Sequence, residues 1–237
     1  MELASSIAFD LSATCGSVFN VQIVPPGWIH FELTDSTLAT WLQSIAVANL
    51  KEAEIGRWRD GERISPHHPI TPSPHPSHTP NPLCPMSNLF PIQYAHARCC
   101  SLVLLAHREG LIKLREPLAN SSSDFWSVIS PNPIPWLNSD GKLRLNHPDE
   151  HRLIAELVQV VDNIECPDVK GFVKWEKAAL NLSQAFENFW SNCRIWGEVK
   201  IISPELAQAR LGLLMATQSV LKIVLEEKLG IFAPWEL

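Results

Sequence analysis

The sequence predicts an α+β protein built from a small N-terminal α/β unit, a linker rich in proline and histidine, and an all-α helical bundle. Two observations predict this division: the distribution of charged residues, and the period at which apolar residues recur. Residues 1–63 hold 4 basic and 8 acidic side chains, residues 64–90 hold none of either sign, and residues 91–237 hold 15 basic and 17 acidic ones. We therefore predict two folded parts, 1–63 and 91–237, separated by a linker at 64–90.

The N-terminal unit is predicted to contain a β hairpin followed by a short helix. Apolar and polar residues alternate over Val18–Val24 and again over Trp28–Leu33, and the sequence Pro25-Pro26-Gly27 lies between them. This alternation is typical of half-buried strands joined by a turn. Ser36 is a residue type that often precedes a helix, and four apolar residues follow it at helical spacing: Leu38, Trp41, Leu42 and Ile45.

The segment 64–90 contains eight prolines and four histidines, which are His67, His68, His75 and His78. Proline removes backbone donors and favours extended geometry, so we predict a disordered or polyproline-like linker. A metal site formed by these histidines with Cys84 is the alternative, because imidazole and thiolate bind transition metals. The six cysteines are scattered without a C-x-x-C pair, which favours reduced thiols.

The C-terminal part is predicted to be a bundle of four helices, each with an apolar stripe. The predicted helices are 92–109 before Gly110, one that begins near Pro148, one over 171–193, and one from Ser203 to Gly230. A loop at 118–143 separates the first two and carries the aromatic residues Phe125, Trp126 and Trp136. Loops of this length inside a domain are usually functional or disordered.

Composition excludes several classes of protein. The chain is 46% apolar, which is enough to build a core, yet it contains neither a long uncharged apolar run nor a basic segment at its start. We therefore expect a cytoplasmic protein without a membrane partner. The net charge of −6 argues against nonspecific coating of nucleic acid, and no DNA partner is predicted. No nucleophile–base pair, glycine-rich phosphate loop or metal-ligand set is evident, so we predict no catalytic residue, metal or cofactor.

Three strings in the C-terminal part carry a resemblance to a known family. Phe90–Arg98 reads F-P-I-Q-Y-A-H-A-R and resembles the Q-Y-A-H-A-R motif that opens the C-terminal domain of arginyl-tRNA synthetases. Leu182–Cys193 resembles the family's L-A-x-x-F-x-x-F-Y-x-x-C helix, and the segments 209–214, 220–222 and 229–237 resemble its closing helix and L-G-I-x-A-P-x-x-M tail. The resemblance implies that 91–237 is a DALR-type anticodon-binding helical domain.

The N-terminal unit has a related resemblance. Phe19–Phe31 reads F-N-V-Q-I-V-P-P-G-W-I-H-F and is similar to the end of the synthetases' N-terminal additional domain, where a P-G-F-I-N-F string meets the tRNA elbow. In these enzymes a catalytic domain with H-I-G-H-like and K-M-S-K-like sequences occupies the position of the linker 64–90. Neither signature is present in this chain, so the resemblance implies a noncatalytic protein that cannot form an aminoacyl adenylate.

The resemblance also implies which residues contact RNA. These residues are Trp28, His30, Tyr94, His96, Arg98, Phe186, Trp190 and Leu237. Unstacked bases lie on aromatic rings or guanidinium planes, and Phe186 and Trp190, four residues apart, would share one helix face. Packing inside the bundle is the alternative for Phe186, Phe189 and Trp190, and a hydrogen bond within the bundle is the alternative for His96.

The implied partner is tRNA(Arg) or a tRNA-like RNA. Two departures from the family bear on the identity of that tRNA: His30 replaces an amide residue, and Leu237 replaces the terminal methionine. The alternative is an interaction module that no longer binds tRNA and contacts a protein partner through the tryptophan-rich loop and the proline-rich linker. The negative net charge favours this second interpretation.

Overall fold

The computed structural model describes residues 2–47, 89–115, 128–166 and 173–236. The α-helices of this part are α1 (Glu2–Cys15), α2 (Asp35–Val47), α3 (Phe90–Arg108), α4 (Pro148–Glu165), α5 (Trp175–Asn192), α6 (Glu198–Ile202) and α7 (Pro204–Ile223). The strands are β1 (Phe19–Val24), β2 (Trp28–Leu33), β3 (Lys113–Leu114) and β4 (Val128–Ser130). The predicted α+β class, with a helical C-terminal part, is confirmed.

The predicted hairpin forms by antiparallel pairing of β1 with β2. Val24 lies opposite Trp28 and Phe19 lies opposite Leu33, with Gly27 in the turn. Helix α1, which the sequence did not predict, packs along β1 and buries Ala8. Its other apolar residues do not form one inward stripe, because Leu3 and Phe9 are each 75% exposed, and this is why the periodicity did not reveal it.

Helix α7 is the centre of the C-terminal fold. Of its 20 residues, 15 are buried, including the uninterrupted run 211–223. Helices α2, α3, α4, α5 and α6 all contact it. A helix that is buried on every side is expected to be mostly apolar. The buried run fits this pattern except at four polar residues, Thr217, Gln218, Ser219 and Lys222. It continues as one π-helical turn, Val224–Lys228, and the chain then turns at Gly230 with a φ of +66°.

The remaining predicted helices are confirmed with small changes at their ends. Helix α4 begins at Pro148, where Asp149 N–H donates to His147 Nδ1 and Glu150 accepts from the His147 backbone in a capping box. Ser203 precedes α7 but makes no side-chain capping bond. At α2 the capping oxygen belongs to Thr34, which accepts from Thr37 N–H at 3.3 Å, and Ser36 lies inside the helix.

Helix α2 packs on α7 and joins the same hydrophobic core. Leu42 and Ile45 are 0% and 1% exposed, and Ala39 and Ala46 are also buried. The Gln43 side chain accepts two hydrogen bonds through Oε1, one from Trp136 Nε1 at 2.8 Å and one from Ile134 N–H at 3.0 Å. Although α2 lies in the N-terminal part of the chain, it completes the core of the helical part.

Trp136 is a core residue and not an exposed anchor. Its side chain is 3% exposed and lies against α7 at Gly212, where an added Cβ would be 2.5 Å from the indole ring. Only glycine allows the ring to lie this close to the helix. The expectation of a loop whose aromatic residues contact a partner is therefore wrong for Trp136, because its indole ring is buried in the core and cannot reach a partner. Phe125 and Trp126 lie outside the described residues.

The segment after α7 folds back onto α3 and is fixed there by polar contacts. Gln93 Nε2 donates to the Phe232 carbonyl at 3.0 Å. His96 Nδ1 is 2.9 Å from the Pro234 carbonyl, and His96 Nε2 is 2.9 Å from Gln218 Nε2 on α7. Since a carbonyl only accepts, Nδ1 carries the proton and Nε2 accepts from the Gln218 amide. Burial lowers the pKa of His96 to about 4 and keeps the ring neutral.

A buried ion pair ties α4 to α7. Arg210 Nε donates to Glu150 Oε1 at 2.6 Å, and the two side chains are 11% and 1% exposed. Arg210 Nη1 also donates to the Arg194 carbonyl in the connection after α5. The second Arg–Glu pair, Arg144 with Glu205 at 2.7 Å, is more exposed, with side-chain exposures of 24% and 58%.

We expect Arg210→Met to lower the free energy of unfolding by about 3–5 kcal/mol, because it leaves the Glu150 carboxylate buried without its cation. The matched variant Arg144→Met removes a more exposed pair together with the Arg144 Nε hydrogen bond to the Leu137 carbonyl, and its expected cost is about 1–2 kcal/mol. Urea denaturation of both variants at pH 7 measures the two costs. Equal costs would show that the Glu150 pair is not the stronger of the two.

We also expect stability to depend on the protonation of His96. The pKa of His96 is about 4 in the folded chain and about 6.5 in the unfolded chain, so the unfolded state binds the proton more readily between these values. Acidification from pH 6.5 to 4 should therefore remove roughly 3 kcal/mol of stability through this group alone.

Denaturation of the wild type and of His96→Asn between pH 7 and pH 4 tests this expectation. Asparagine retains a donor near the Nδ1 position but does not titrate. The difference between the two pH profiles isolates His96 from the carboxylates, and superimposable profiles would contradict the expectation.

Candidate nucleic-acid interface

One face of α3 presents a row of two exposed side chains and one half-buried side chain. Phe90, Tyr94 and Arg98 follow one another at intervals of four residues, which places them on one side of the helix. Phe90 is 59% exposed and Tyr94 is 42% exposed. Their rings are stacked, with centroids 6.2 Å apart and an interplanar angle of 26°. Large aromatic residues are seldom left in water in pairs, so this row is a candidate binding surface.

Trp190 of α5 extends this row across the α3–α5 contact. The Arg98 guanidinium carbon lies 5.2 Å from the centroid of the Trp190 ring, a cation–π distance. Trp196 packs edge-on against Trp190, with centroids 5.8 Å apart and an interplanar angle of 76°. We call Phe90, Tyr94, Arg98 and Trp190 the aromatic ridge. The ridge places the planar Arg98 guanidinium beside three aromatic rings, and nucleic-acid bases stack on surfaces of this kind.

Two of the residues implied by the resemblance lie in the interior. His96 is 0% exposed and Phe186 is 1% exposed. A fully buried side chain cannot contact a bound molecule, so the structure assigns both residues to the core. His96 joins α3 to α7 and to the C-terminal segment, and Phe186 packs with Phe189 among the core side chains. Leu237 lies outside the described residues.

The two predicted residues of the N-terminal unit are exposed on the hairpin. Trp28 is 68% exposed, and His30, two residues along β2, is exposed on the same face of the strand. Their partners on β1 are Val24 and Gln22. The predicted site residues are thus divided between the ridge, the hairpin and the core.

The sequence did not indicate Phe90, which is part of the ridge, or Trp196, which packs against it. Phe90 stands four residues before Tyr94, so helical spacing alone could have indicated it. Trp196 follows the end of α5, and no sequence period relates it to Trp190. Its Nε1 is a buried donor that meets no acceptor among the described residues, a state that costs free energy. Packing against Trp190 holds it in place.

The described residues offer little for covalent or metal chemistry. Burial raises the pKa of Cys100 and of Cys193 to about 12, so neither thiol is a nucleophile near neutral pH. No group of three His, Cys, Asp or Glu side chains converges in the described part of the chain. Cys84 and the four linker histidines lie outside it.

None of the helices within residues 2–47, 89–115, 128–166 and 173–236 combines the length and the apolarity that crossing a bilayer requires.

Comparison with known proteins relates the C-terminal part of the chain to a family. The family model of the DALR anticodon binding domain matches residues 92–237. The arginine–tRNA ligase of Synechococcus sp. (strain JA-3-3Ab) is 31% identical over 144 residues, which are 60% of this chain and 21% of the ligase. The arginine–tRNA ligase of Salinibacter ruber is 32% identical over 151 residues, 63% of this chain and 22% of the ligase. No solved structure matches significantly.

The chain therefore spans about a fifth of the length of the curated relatives that it matches. The family model covers the helical part, including every residue of the ridge except Phe90. Because this match extends over more than half of the sequence, the chain belongs to the DALR anticodon binding domain family.

Proposed function

We propose that this chain is a noncatalytic RNA-binding protein of the arginyl-tRNA synthetase type, which binds tRNA(Arg) or a tRNA-like RNA on the aromatic ridge. The observation that carries the proposal is the Arg98 guanidinium, held 5.2 Å from the Trp190 ring centroid beside the exposed rings of Tyr94 and Phe90. The family match to an anticodon binding domain supports RNA as the ligand.

The ridge has the chemistry that unpaired bases require. Each base has an apolar face that stacks on an aromatic ring or a guanidinium plane, and stacking contributes about 1–3 kcal/mol per base. Arg98 adds a fixed positive charge to this surface for the phosphate backbone. The chain carries a net charge of −6, so binding should rest more on stacking than on long-range attraction.

The noncatalytic part of the proposal rests on the extent of the similarity. The matched relatives are ligases, but the matches span only 21% and 22% of the two ligases named above, and the family model that matches is that of the anticodon binding domain. The sequence between the N-terminal unit and α3 lacks H-I-G-H-like and K-M-S-K-like strings.

Substitution of the ridge should weaken binding of a tRNA(Arg) transcript. We expect Trp190→Leu to raise Kd about 10-fold or more, because it removes both a stacking surface and the support of Arg98. Arg98→Ala should raise Kd by a similar factor. Arg98→Lys should restore only part of the lost affinity, since lysine keeps the positive charge but lacks the planar guanidinium group. Mobility-shift titration at two salt concentrations measures these changes.

The chain provides matched controls for both substitutions. Trp175, at the other end of α5, also lies under a cation, with Lys228 Nζ 5.5 Å from its ring centroid, so Trp175→Leu removes an equivalent ring away from the ridge. Arg152→Ala removes one exposed charge from α4. If the ridge variants bind as tightly as the control variants, the proposal fails. If an unrelated tRNA binds as well as tRNA(Arg), specificity for tRNA(Arg) fails.

A protein partner remains the second candidate, and one observation favours it. The N-terminal unit exposes several large apolar side chains, among them Phe9 at 75% and Phe31 at 52%. Exposed apolar patches often mark protein interfaces. Under this candidate, a partner isolated from source extract stays bound after ribonuclease treatment and is lost with Phe9→Ser. Under the RNA-binding proposal, ribonuclease releases what is bound.

A further inference from the structure

One face of the β1–β2 hairpin is entirely apolar. Side chains alternate along a strand, so one face carries every second residue of β1 together with the residues opposite them on β2. These residues are Phe19, Val21, Ile23, Ile29, Phe31 and Leu33. The rings of Phe19 and Phe31 meet edge-on across the two strands, with centroids 5.9 Å apart. We call these six residues the apolar hairpin face. Trp28 and His30 lie on the opposite face.

Helix α1 covers only part of the apolar hairpin face. It packs mainly along β1, where Phe19 and Val21 are half-buried. On β2, Phe31 is 52% exposed and Leu33 is 40% exposed. A sheet with an apolar face is normally covered by a second layer of structure, and a two-stranded sheet is only marginally stable alone. The β2 half of this face is therefore an open apolar surface.

This surface is ordered by hydrogen bonds within the chain. Thr34 N–H donates to the Val18 carbonyl at 3.0 Å and closes the end of the hairpin. The Thr34 hydroxyl donates to the Ser17 carbonyl at 3.2 Å and lies 2.8 Å from the hydroxyl of Thr37, which joins the hairpin to the first turn of α2. Because the surface is ordered before binding, a partner does not have to order it.

The part of the chain that carries this face is acidic. Residues 2–47 contain four carboxylate side chains and no lysine or arginine. The acidic residues are Glu2, Asp10, Glu32 and Asp35. Asp35 is paired with Lys142 at 3.5 Å, whereas Asp10 and Glu32 are exposed residues. A positively charged occupant of the apolar hairpin face is therefore attracted, and a negatively charged one is repelled.

The sign of this charge decides between classes of occupant. RNA and anionic lipid surfaces are negative, and a second copy of this chain brings the same carboxylates to the interface. A basic segment of another protein has the complementary charge. Helix α1, with 14 residues, shows the shape that fits along β1. Strand β2 has six residues and is about 20 Å long, a length that a helix of about 13 residues spans.

We propose that the apolar hairpin face docks a basic amphipathic helix of a protein partner, which lies over β2 beside α1. The apolar stripe of this helix covers Phe31 and Leu33, and its lysine and arginine residues are attracted by the carboxylates of the N-terminal unit. Phe31 is the anchor of the interface, because large aromatic side chains dominate the energetics of interfaces.

The apolar hairpin face shares no residue with the aromatic ridge. The inference therefore gives the protein-partner candidate a defined surface and a defined chemistry, and it holds whether or not the ridge binds RNA. Its main test uses no RNA, so that it succeeds or fails independently of the RNA-binding proposal.

Three synthetic peptides serve as probes of the purified full chain. Each has about 18 residues, because shorter isolated helices are marginally stable in water. All carry leucine at the same helical spacing and differ only in their polar positions, which hold lysine, glutamine or glutamate. Fluorescence anisotropy should show that the lysine peptide binds about 10-fold more tightly than the glutamine peptide and that the glutamate peptide binds least. Equal affinity for the lysine and glutamate peptides would overturn the inference.

Substitution of the anchor tests where the peptide binds. We expect Phe31→Ser to raise the Kd of the lysine peptide about 10-fold or more. Phe232→Ser is the matched control, because Phe232 is a 69% exposed phenylalanine in the segment after α7 and should leave this Kd unchanged. If the two variants bind the peptide equally well, the apolar hairpin face is not its site.

A charge variant tests the same surface without removing an apolar side chain. The double variant Asp10→Asn with Glu32→Gln alters two exposed residues, so a folding defect of Phe31→Ser does not affect this test. It should raise the Kd of the lysine peptide about 3-fold at low salt, make that Kd less sensitive to salt, and leave the Kd of the glutamine peptide unchanged. A lysine peptide that binds the double variant as tightly as the wild type contradicts the proposed charge complementarity.

Two further measurements test the competing occupants. Sedimentation velocity of the wild type and of Phe31→Ser should give the same molecular mass, and a wild-type dimer that this substitution dissociates would show that a second copy covers the face. Mobility-shift titration should give the same Kd for a tRNA(Arg) transcript with both proteins. A weaker affinity of Phe31→Ser for the transcript would assign the face to RNA. Either result would overturn the inference.

Discussion

The burial of α7 on all sides is the constraint on which the described fold depends. Five helices pack against α7, and each must present an apolar face to it. The few polar groups on or beside α7 are matched by specific partners: Arg210 by Glu150, and Gln218 by His96. Buried polar groups without partners would be costly, so these pairs also determine which helix occupies which side of α7.

The two sides of α3 illustrate how one helix can serve both the core and the candidate interface. His96 and Arg98 are two residues apart, and a step of two residues turns a helix by more than half of a revolution. His96 consequently points toward α7 and stays neutral, whereas Arg98 lies over Trp190 at the surface. Core packing on one side thus holds the cation and the rings of the ridge in place on the other.

The docking of α2 gives this chain an arrangement that its family match does not describe. The match begins at residue 92, yet α2, which ends at Val47, completes the core and fastens the hairpin to it. The docking of α2 depends on Gly212, because only glycine leaves room for the Trp136 ring against α7. Trp136 Nε1 then donates a hydrogen bond to Gln43 of α2. Small residues that permit close approach can matter as much to domain organisation as large apolar ones do.

The sequence by itself determined most of the local elements and the family. Alternation predicted β1 and β2, helical periodicity and capping residues predicted α2 to α5 and α7, and ordered motifs indicated the anticodon-binding domain, because all of these are local properties of the chain. The tertiary structure alone decided which aromatic residues are exposed. Helical spacing cannot distinguish a core face from a binding face, so Phe186 and Trp190 have the same local pattern but different burial. The contacts of Gln43 with Trp136, and of Trp190 with Trp196 and Arg98, join elements through packing that no local pattern encodes.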